Sequence, residues 1–175
     1  MSAVPRWFDR NFVFTFPAEL YPNLCVRLGG TPCRLEELLR GCNASARVWK
    51  PERKWSAQEH AGHLLDLEPL WMERLENFAG GASELAVTDL ANRKTDEANH
   101  NARPLEQLLA EFRKARLALF HRAEALDSNL YAKTLVHPRL KQPMRLVDHL
   151  FFVAEHDDHH LARIWELIHR TKAAG

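Results

Sequence analysis

The chain has few cysteines and no long apolar run, and each shortage excludes a class of protein. Three cysteines, Cys25, Cys33 and Cys42, form no CxxC pair, which argues against a disulfide framework and favours a reducing compartment. No apolar stretch approaches the ~20 residues of a membrane-spanning helix. The N-terminus carries polar and acidic residues where a signal peptide would be apolar. We therefore expect a cytoplasmic protein with no membrane partner.

Neither positively nor negatively charged residues are in excess. The 175 residues include 24 Lys and Arg against 23 Asp and Glu, giving a formal net charge of +1. A strongly basic face is therefore not required, and we expect no nucleic-acid partner. The hydrophobic content of 46% excludes a disordered chain and suffices for one domain with a core. Histidine, by contrast, is abundant, with ten residues.

Hydrophobic periodicity and capping residues predict four helices. The first begins at Thr31, a predicted N-cap, and has Pro32 at its first helical position. The second follows a capping box in Ser56-Ala57-Gln58-Glu59. The predicted helices span about 31–43, 56–78, 104–126 and 143–170. Four helices of this length predict an all-α four-helix bundle.

The segments outside these helices differ in character. Residues 1–31 are predicted to form an N-terminal extension, in which the alternating Phe12, Phe14 and Phe16 belong to an irregular aromatic segment packed on the bundle domain 32–175. Residues 79–103 form a long crossover connection of a length that is often a functional lid. Residues 127–142, which contain Pro138 and are followed by Pro143, form a second connection, predicted to be a loop.

The hexapeptide EHDDHH, residues 155–160, places six ionisable side chains in the middle of the fourth helix. With about 100° of rotation per residue, His160 falls in the middle of the apolar face and His156 one turn before it. The other members are predicted to face solvent (Glu155, Asp158 and His159) or to lie at the border (Asp157). Two inward histidines at i, i+4 suit a shared metal ion, and they equally suit a core in which hydrogen bonds satisfy both rings.

The second helix also places a histidine, His63, on its apolar face beside Leu67 and Leu70. Three histidines in one bundle core are difficult to explain by packing, and bundle cores build metal sites from facing helices. Three protein ligands leave a coordination position open, as in catalytic sites. Asp66 and Glu59 lie on the same side of the helix and are candidate catalytic or histidine-orienting carboxylates, although Glu59 is also part of the capping box and Asp66 can simply be solvated.

The remaining histidines have weaker assignments. His149 is predicted to line the cavity without binding the same ion, and His60 lies about 60° from His63 around the axis of the second helix. The four that have no predicted partner are expected at the surface or in loops: His100, His121, His137 and His169.

Two segments, WSAQEHAGHLLDLE at 55–68 and AEHDDHHLARI at 154–164, resemble the DinB/YfiT-like metalloprotein superfamily. The resemblance covers roughly residues 32–170 and implies a DinB-like four-helix bundle with a three-histidine metal site. In this family one ligand comes from the second helix and two, as HxxxH, from the last. The resemblance implies the same ligands as the periodicity, namely His63, His156 and His160.

Characterised relatives imply a thiol-dependent S-transferase, in which the metal activates a low-molecular-weight thiol, such as bacillithiol or mycothiol, toward a small electrophile. Arg93, Lys94 or Arg103 would then be candidates to hold a carboxylate of the thiol or substrate, or would be solvated. Two alternatives stay open: a metal-dependent hydrolase that uses water, and a non-catalytic metal-binding stress-response protein. Zinc is the expected metal, with nickel or iron as alternatives, and the family also suggests a homodimer.

Overall fold

The computed structural model describes residues 4–52 and 54–173, and it contains seven α-helices and one β-hairpin within them. The helices are α1 (Tyr21–Gly29), α2 (Thr31–Arg40), α3 (Ala44–Val48), α4 (Ala57–Gly80), α5 (Arg93–Glu97), α6 (Leu105–Glu124) and α7 (Leu146–Ala173). The hairpin consists of β1 (Thr134–His137) and β2 (Gln142–Arg145). In the part of the chain that the structure describes, no helix has the length and apolar character needed to cross a membrane.

The bundle is formed by α4, α6, α7 and the consecutive pair α1 and α2, which are separated only by Gly30. This confirms the predicted all-α bundle with an irregular aromatic N-terminal segment. The capping box of α4 is also confirmed, because Ser56 and Glu59 exchange side-chain and backbone hydrogen bonds. Helix α1 was not predicted, since residues 1–31 were expected to form an irregular extension. Pro22 lies in the first turn, where its missing N–H has no intrahelical partner to lose.

Two details of the predicted helix ends are wrong. Thr31 is the first residue of α2 rather than its N-cap, and its hydroxyl donates instead to Asp157 Oδ2 at 2.8 Å. The last helix begins at Leu146, because Pro143 lies in β2 opposite Val136. The predicted loop at 127–142 thus contains one strand of a hairpin and part of the other, and Lys141 turns the chain between them with a φ of 53°.

The connection 79–103 packs on the bundle through α5 and a 3-10 turn at His100–Ala102, which both contact α4. Its side chains Leu85, Thr95 and His100 are buried. Glu84 bridges Val136 of the hairpin. The connection therefore lies against the same end of α4 that carries the histidine motif.

Two apolar clusters fill the bundle and leave a polar layer between them. Along α7 the first cluster ends at Ala154 and the second begins at Leu161. The hexapeptide 155–160 fills the interval, so its six ionisable residues interrupt the core at one level of the bundle. The aromatic N-terminal segment covers this level from outside, with the Trp7 ring 5.0 Å from the His156 ring.

Candidate metal centre

The three histidines chosen from periodicity converge in the polar layer. His63 from α4 and His156 and His160 from α7 are all buried, and each offers a ring nitrogen within 4.8 Å of the others. The Nε2 atoms of His156 and His160 are 3.1 Å apart. One helical turn separates these two residues, so their rings meet on one face of α7, and α4 supplies the third ring from across the core.

Hydrogen bonds on the far side of the ring fix the tautomer of His63. Its Nδ1 lies 3.0 Å from the Thr95 hydroxyl, and that hydroxyl donates its proton to Asp66 Oδ2 at 2.9 Å. The hydroxyl can therefore only accept from His63 Nδ1–H, which leaves the lone pair on Nε2. Asp66 acts on the cluster through Thr95, as orienting carboxylates do in histidine metal sites.

His160 is held in a comparable way. Its Nδ1 lies 2.8 Å from Nδ1 of His60, which is also buried. His156 Nδ1, by contrast, is buried without a hydrogen-bond partner in the described residues. Two of the three rings thus have an outer contact, and the contact of His63 with Thr95 also sets the tautomer of its ring.

The electrostatic environment keeps these rings neutral. Burial, reinforced by Arg163 and neighbouring histidines, lowers the pKa of His60 to about 3, and burial lowers that of His63 to about 4 although Asp66 opposes it. The pKa values of His156 and His160 lie well below the ordinary value because of burial and then the adjacent histidines. Neutral imidazole is the form that binds metals. Three converging neutral imidazole rings therefore fit a divalent metal ion.

Asp66 has a second partner that the sequence analysis missed. His100 was expected at the surface or in a loop without a partner, and it is buried with Nε2 2.8 Å from Asp66 Oδ2. Its ring lies directly against the backbone of α4 at Gly62, where an added Cβ would overlap it. Gly62 therefore allows the 79–103 connection to approach α4 closely enough to fix Asp66 and Thr95.

The other predicted positions are distributed as follows. Glu59 closes the capping box with Oε2 and pairs with Lys50 through Oε1 at 2.7 Å, and it does not line the cavity described below. His149 is fully buried beside Trp71 and Phe78, outside the cavity lining. Arg93, Lys94 and Arg103 pair with acidic residues and also lie outside that lining: Arg93 with Asp89, Lys94 with Asp66 and Arg103 with Glu111.

The acidic residues of the hexapeptide form more ion pairs than helical periodicity predicted. Glu155 and Asp158 were expected to face solvent, and both form ion pairs with arginines of the preceding segments: Glu155 with Arg10 and Arg27, and Asp158 with Arg27 and Arg34. His159 was also expected outside, and it lines the cavity with its ring 5.7 Å from that of Trp7. Asp157, placed at the border, is completely buried and binds Arg116.

A cavity of about 860 Å³ opens beside the histidine cluster. Its walls combine the cluster with aromatic rings, notably Trp7, Trp55, Trp71 and Phe152, and residues 88–92 of the long connection form part of one side. Arginines also contribute to the lining. The cluster is thus reachable by a small molecule, while the three histidines themselves are buried.

Comparison with known proteins agrees with this fold. A four-helix bundle with three converging histidines is a class of fold that carries metal sites in its core. The family model of the DinB superfamily matches residues 27–164, and the chain belongs to this superfamily. A solved structure, that of YfiT from Bacillus subtilis, matches with a TM-score of 0.79 at 17% identity, covering 93% of this chain and 94% of that one. It is described as a probable metal-dependent hydrolase with an unusual four-helix bundle topology. A comparison with curated proteins gave no match.

Thr95→Val is expected to weaken metal binding by about 10- to 100-fold, the usual cost of removing an orienting partner. Valine has nearly the same shape but cannot accept from His63 Nδ1–H or donate to Asp66. The dissociation constant for zinc, measured by chelator competition, tests this. Thr88→Val, at a cavity-lining threonine outside the hydrogen-bond chain to His63, is the matched control. An unchanged constant in Thr95→Val would show that the Asp66–Thr95–His63 chain has no role in metal affinity.

Proposed function

We propose that the protein is a metal-dependent transferase that joins a low-molecular-weight thiol to a small electrophile. His63, His156 and His160 would hold a divalent metal, with zinc first and nickel or iron as alternatives. A bound metal would supply Lewis acidity, which lowers the pKa of a coordinating thiol. The observation that carries the proposal is the large cavity on which these three histidines open.

The size of the cavity supports a reaction between two molecules. Ligand sites commonly enclose roughly 300–1,000 Å³, and about 860 Å³ is at the upper end of that range. The aromatic walls can exclude water and hold organic groups against the cluster. Trp55 is well placed for this, since its ring centroid is 4.7 Å from that of His63 and its Nε1 is fixed by Asp96 at 2.7 Å.

The protein's own cysteines do not provide the thiol. None of the three lines the cavity within the described residues, and burial raises the pKa of Cys25 to about 11, where it is a poor nucleophile. A thiol that reacts at the histidine cluster must therefore arrive as a separate molecule.

Hydrolysis is the second candidate, favoured by the similarity of fold to YfiT and its description. It needs a base that can reach the attacking water. Asp66 and Glu59, the carboxylates considered for this role, are bound elsewhere, and we assign Asp66 to positioning. The cavity-lining carboxylates among the described residues are also engaged: Asp89 with Arg93, Asp96 with Trp55, and Glu166 with Arg163. A thiol is far more acidic than water, so when bound to a metal it can release its proton to solvent without such a base, and the transferase is preferred.

Cobalt substitution tests the proposal without knowledge of the substrate. N-acetylcysteine should produce a sulfur-to-cobalt charge-transfer band in the near ultraviolet, because a thiol can occupy the open coordination position. N-acetylserine, which differs only in oxygen for sulfur, should not. If neither compound changes the cobalt spectrum, or both change it equally, the thiol-dependent reaction is wrong and hydrolysis or a non-catalytic role gains support.

A further inference from the structure

Two arginines line the cavity without an acidic partner. Arg74 of α4 is 1% exposed, and Arg139 lies in the turn of the hairpin, half-buried. Within residues 4–52 and 54–169, no carboxylate forms an ion pair with either of them. Buried charges are normally paired because desolvation is costly, and the other enclosed arginine, Arg116, has two carboxylates.

Each of these arginines has donor capacity that the protein does not fully use. Arg74 Nε donates to the Ala86 carbonyl at 3.0 Å, and its guanidinium lies over the Trp71 ring at 5.4 Å. Arg139 has a buried terminal nitrogen, Nη2, with no hydrogen-bond partner among the described residues. Its guanidinium contacts the Trp7 and Phe152 rings at 5.8 and 5.7 Å. Burial, and then Arg139, lower the pKa of Arg74 to about 10, so the two cations are close enough to repel.

His137 shows that an acceptor is missing between these groups. Its Nδ1 accepts from the backbone N–H groups of Arg139 and Leu140, both at 3.2 Å. Burial, and then the two arginines, lower its pKa to about 3, so the ring is neutral and its single proton is on Nε2. That N–H faces Arg74 Nη1, also a donor, at 3.2 Å. Two donors facing one another are unfavourable unless an acceptor lies between or beside them.

We propose that Arg74, Arg139 and His137 form an oxyanion subsite, which holds a carboxylate or phosphate of an organic substrate whose reacting end lies at the histidine cluster. An oxyanion would accept from the Arg139 Nη2, Arg74 and His137 donors and neutralise the uncompensated charge. All three residues line the same cavity as His156. The Trp7 ring stands between the two regions, since it contacts both His156 and the Arg139 guanidinium.

The class of ligand follows from the order in which the arginines, the aromatic rings and the histidines line the cavity. An anionic head would bind at the arginines, an apolar or aromatic body would lie along Trp7, Trp71 and Phe152, and the reactive group would reach the histidines. Which end reacts rests on the proposed function, whereas the anion subsite does not. In binding the anionic group, Arg74 and Arg139 replace the candidates from sequence, which were Arg93, Lys94 and Arg103.

Titration of ¹⁵N-labelled metal-loaded protein with benzoate, phenyl phosphate and the neutral isostere benzamide tests the subsite. The indole N–H resonances of Trp7 and Trp71, assigned with Trp→Phe variants, report binding without turnover. At least one of the two anions should bind roughly tenfold more tightly than benzamide, as expected for charge-assisted hydrogen bonds. The tighter anion identifies the preferred head group.

Arg139→Gln is the informative variant because Arg139 is on the hairpin turn, whereas Arg74 is enclosed. It should reduce the preference for the anion to about twofold or less while metal content stays equal to wild type. Arg40→Gln, at an exposed arginine on α2, should keep the full preference. Equal binding of anions and benzamide by wild type, or an intact preference in Arg139→Gln, would overturn the subsite. The anion preferences of wild type and of Arg139→Gln do not depend on the cobalt experiment. The oxyanion subsite and the thiol-dependent transferase can therefore be disproved separately.

Discussion

His160→Ala is expected to purify with little bound metal, whereas wild type should carry about one divalent ion per chain. His160 lies at the centre of the cluster, with Nε2 facing His156 and Nδ1 on His60. Its loss removes one of three ligands and leaves His60 without its partner. Elemental analysis of untagged proteins, reconstituted with zinc or nickel and then desalted, measures the difference.

The matched control is His121→Ala, because His121 is an exposed histidine on α6 that pairs with Glu124 at 3.3 Å, away from the cluster. This variant should retain the metal of wild type. Circular dichroism of both variants separates loss of metal from loss of fold. Equal and negligible metal in wild type and His160→Ala would contradict a metal centre and would leave the three neutral rings as core residues.

The convergence of the three histidines could be predicted from sequence because all three are on long helices. A regular helix fixes the direction of every side chain, so an apolar stripe shows which histidines point inward. His63 is in the second turn of α4, after a capping box that sets the helix start, and His156 and His160 are deep inside α7. Their orientation therefore depended on local geometry alone.

The supporting residues could not be found in this way. Thr95 and His100 are in the 79–103 connection, and His137 is in a hairpin, where the path of the backbone depends on tertiary packing. Asn92 and Asn99, each immediately before a short helical turn, adopt positive φ values of 55° and 49°. No periodicity predicts such turns, so the partners of Asp66 and His63 emerge only from the folded chain.

The charges of the hexapeptide were misassigned for a related reason. A helical wheel shows which side chains leave the core face but not which segment covers the other faces. Here α1, α2 and the N-terminal segment cover α7 and contribute arginines to Glu155 and Asp158, as described above. Since α1 was not predicted, the surface that it covers was taken as solvated.

Arg116→Met is expected to lower the free energy of unfolding by roughly 3–5 kcal/mol, the cost of breaking a buried ion pair from one side. Arg116 of α6 is completely buried and binds Glu68 of α4 at 2.6 Å and also Asp157 of α7. Burial opposes its charge, yet the two carboxylates raise the pKa of the guanidinium above its ordinary value. The three residues therefore join three bundle helices next to His156.

The variant leaves two buried carboxylates without a cation. Urea unfolding of Arg116→Met, of the triple variant Arg116→Met/Glu68→Gln/Asp157→Asn, and of Arg122→Gln measures the effect. The triple variant should recover much of the loss, because no charge remains and the amide oxygen introduced at position 157 can still accept from Thr31. Arg122 pairs with Glu76 near the surface, and removing it should cost less than about 1 kcal/mol.

The pH dependence distinguishes lost charge pairing from lost packing. Burial already raises the pKa of Glu68, with Arg116 opposing, and without Arg116 that pKa must rise further. When the pKa of a carboxyl group is higher in the folded state than in the unfolded state, its protonation favours folding. The protein therefore loses stability as the pH rises through the folded-state pKa and regains it as the pH falls. The deficit of Arg116→Met relative to wild type should therefore shrink from pH 7 to about pH 5. A deficit that is constant over this range would mean that Arg116 stabilises the bundle by filling space rather than by its charge.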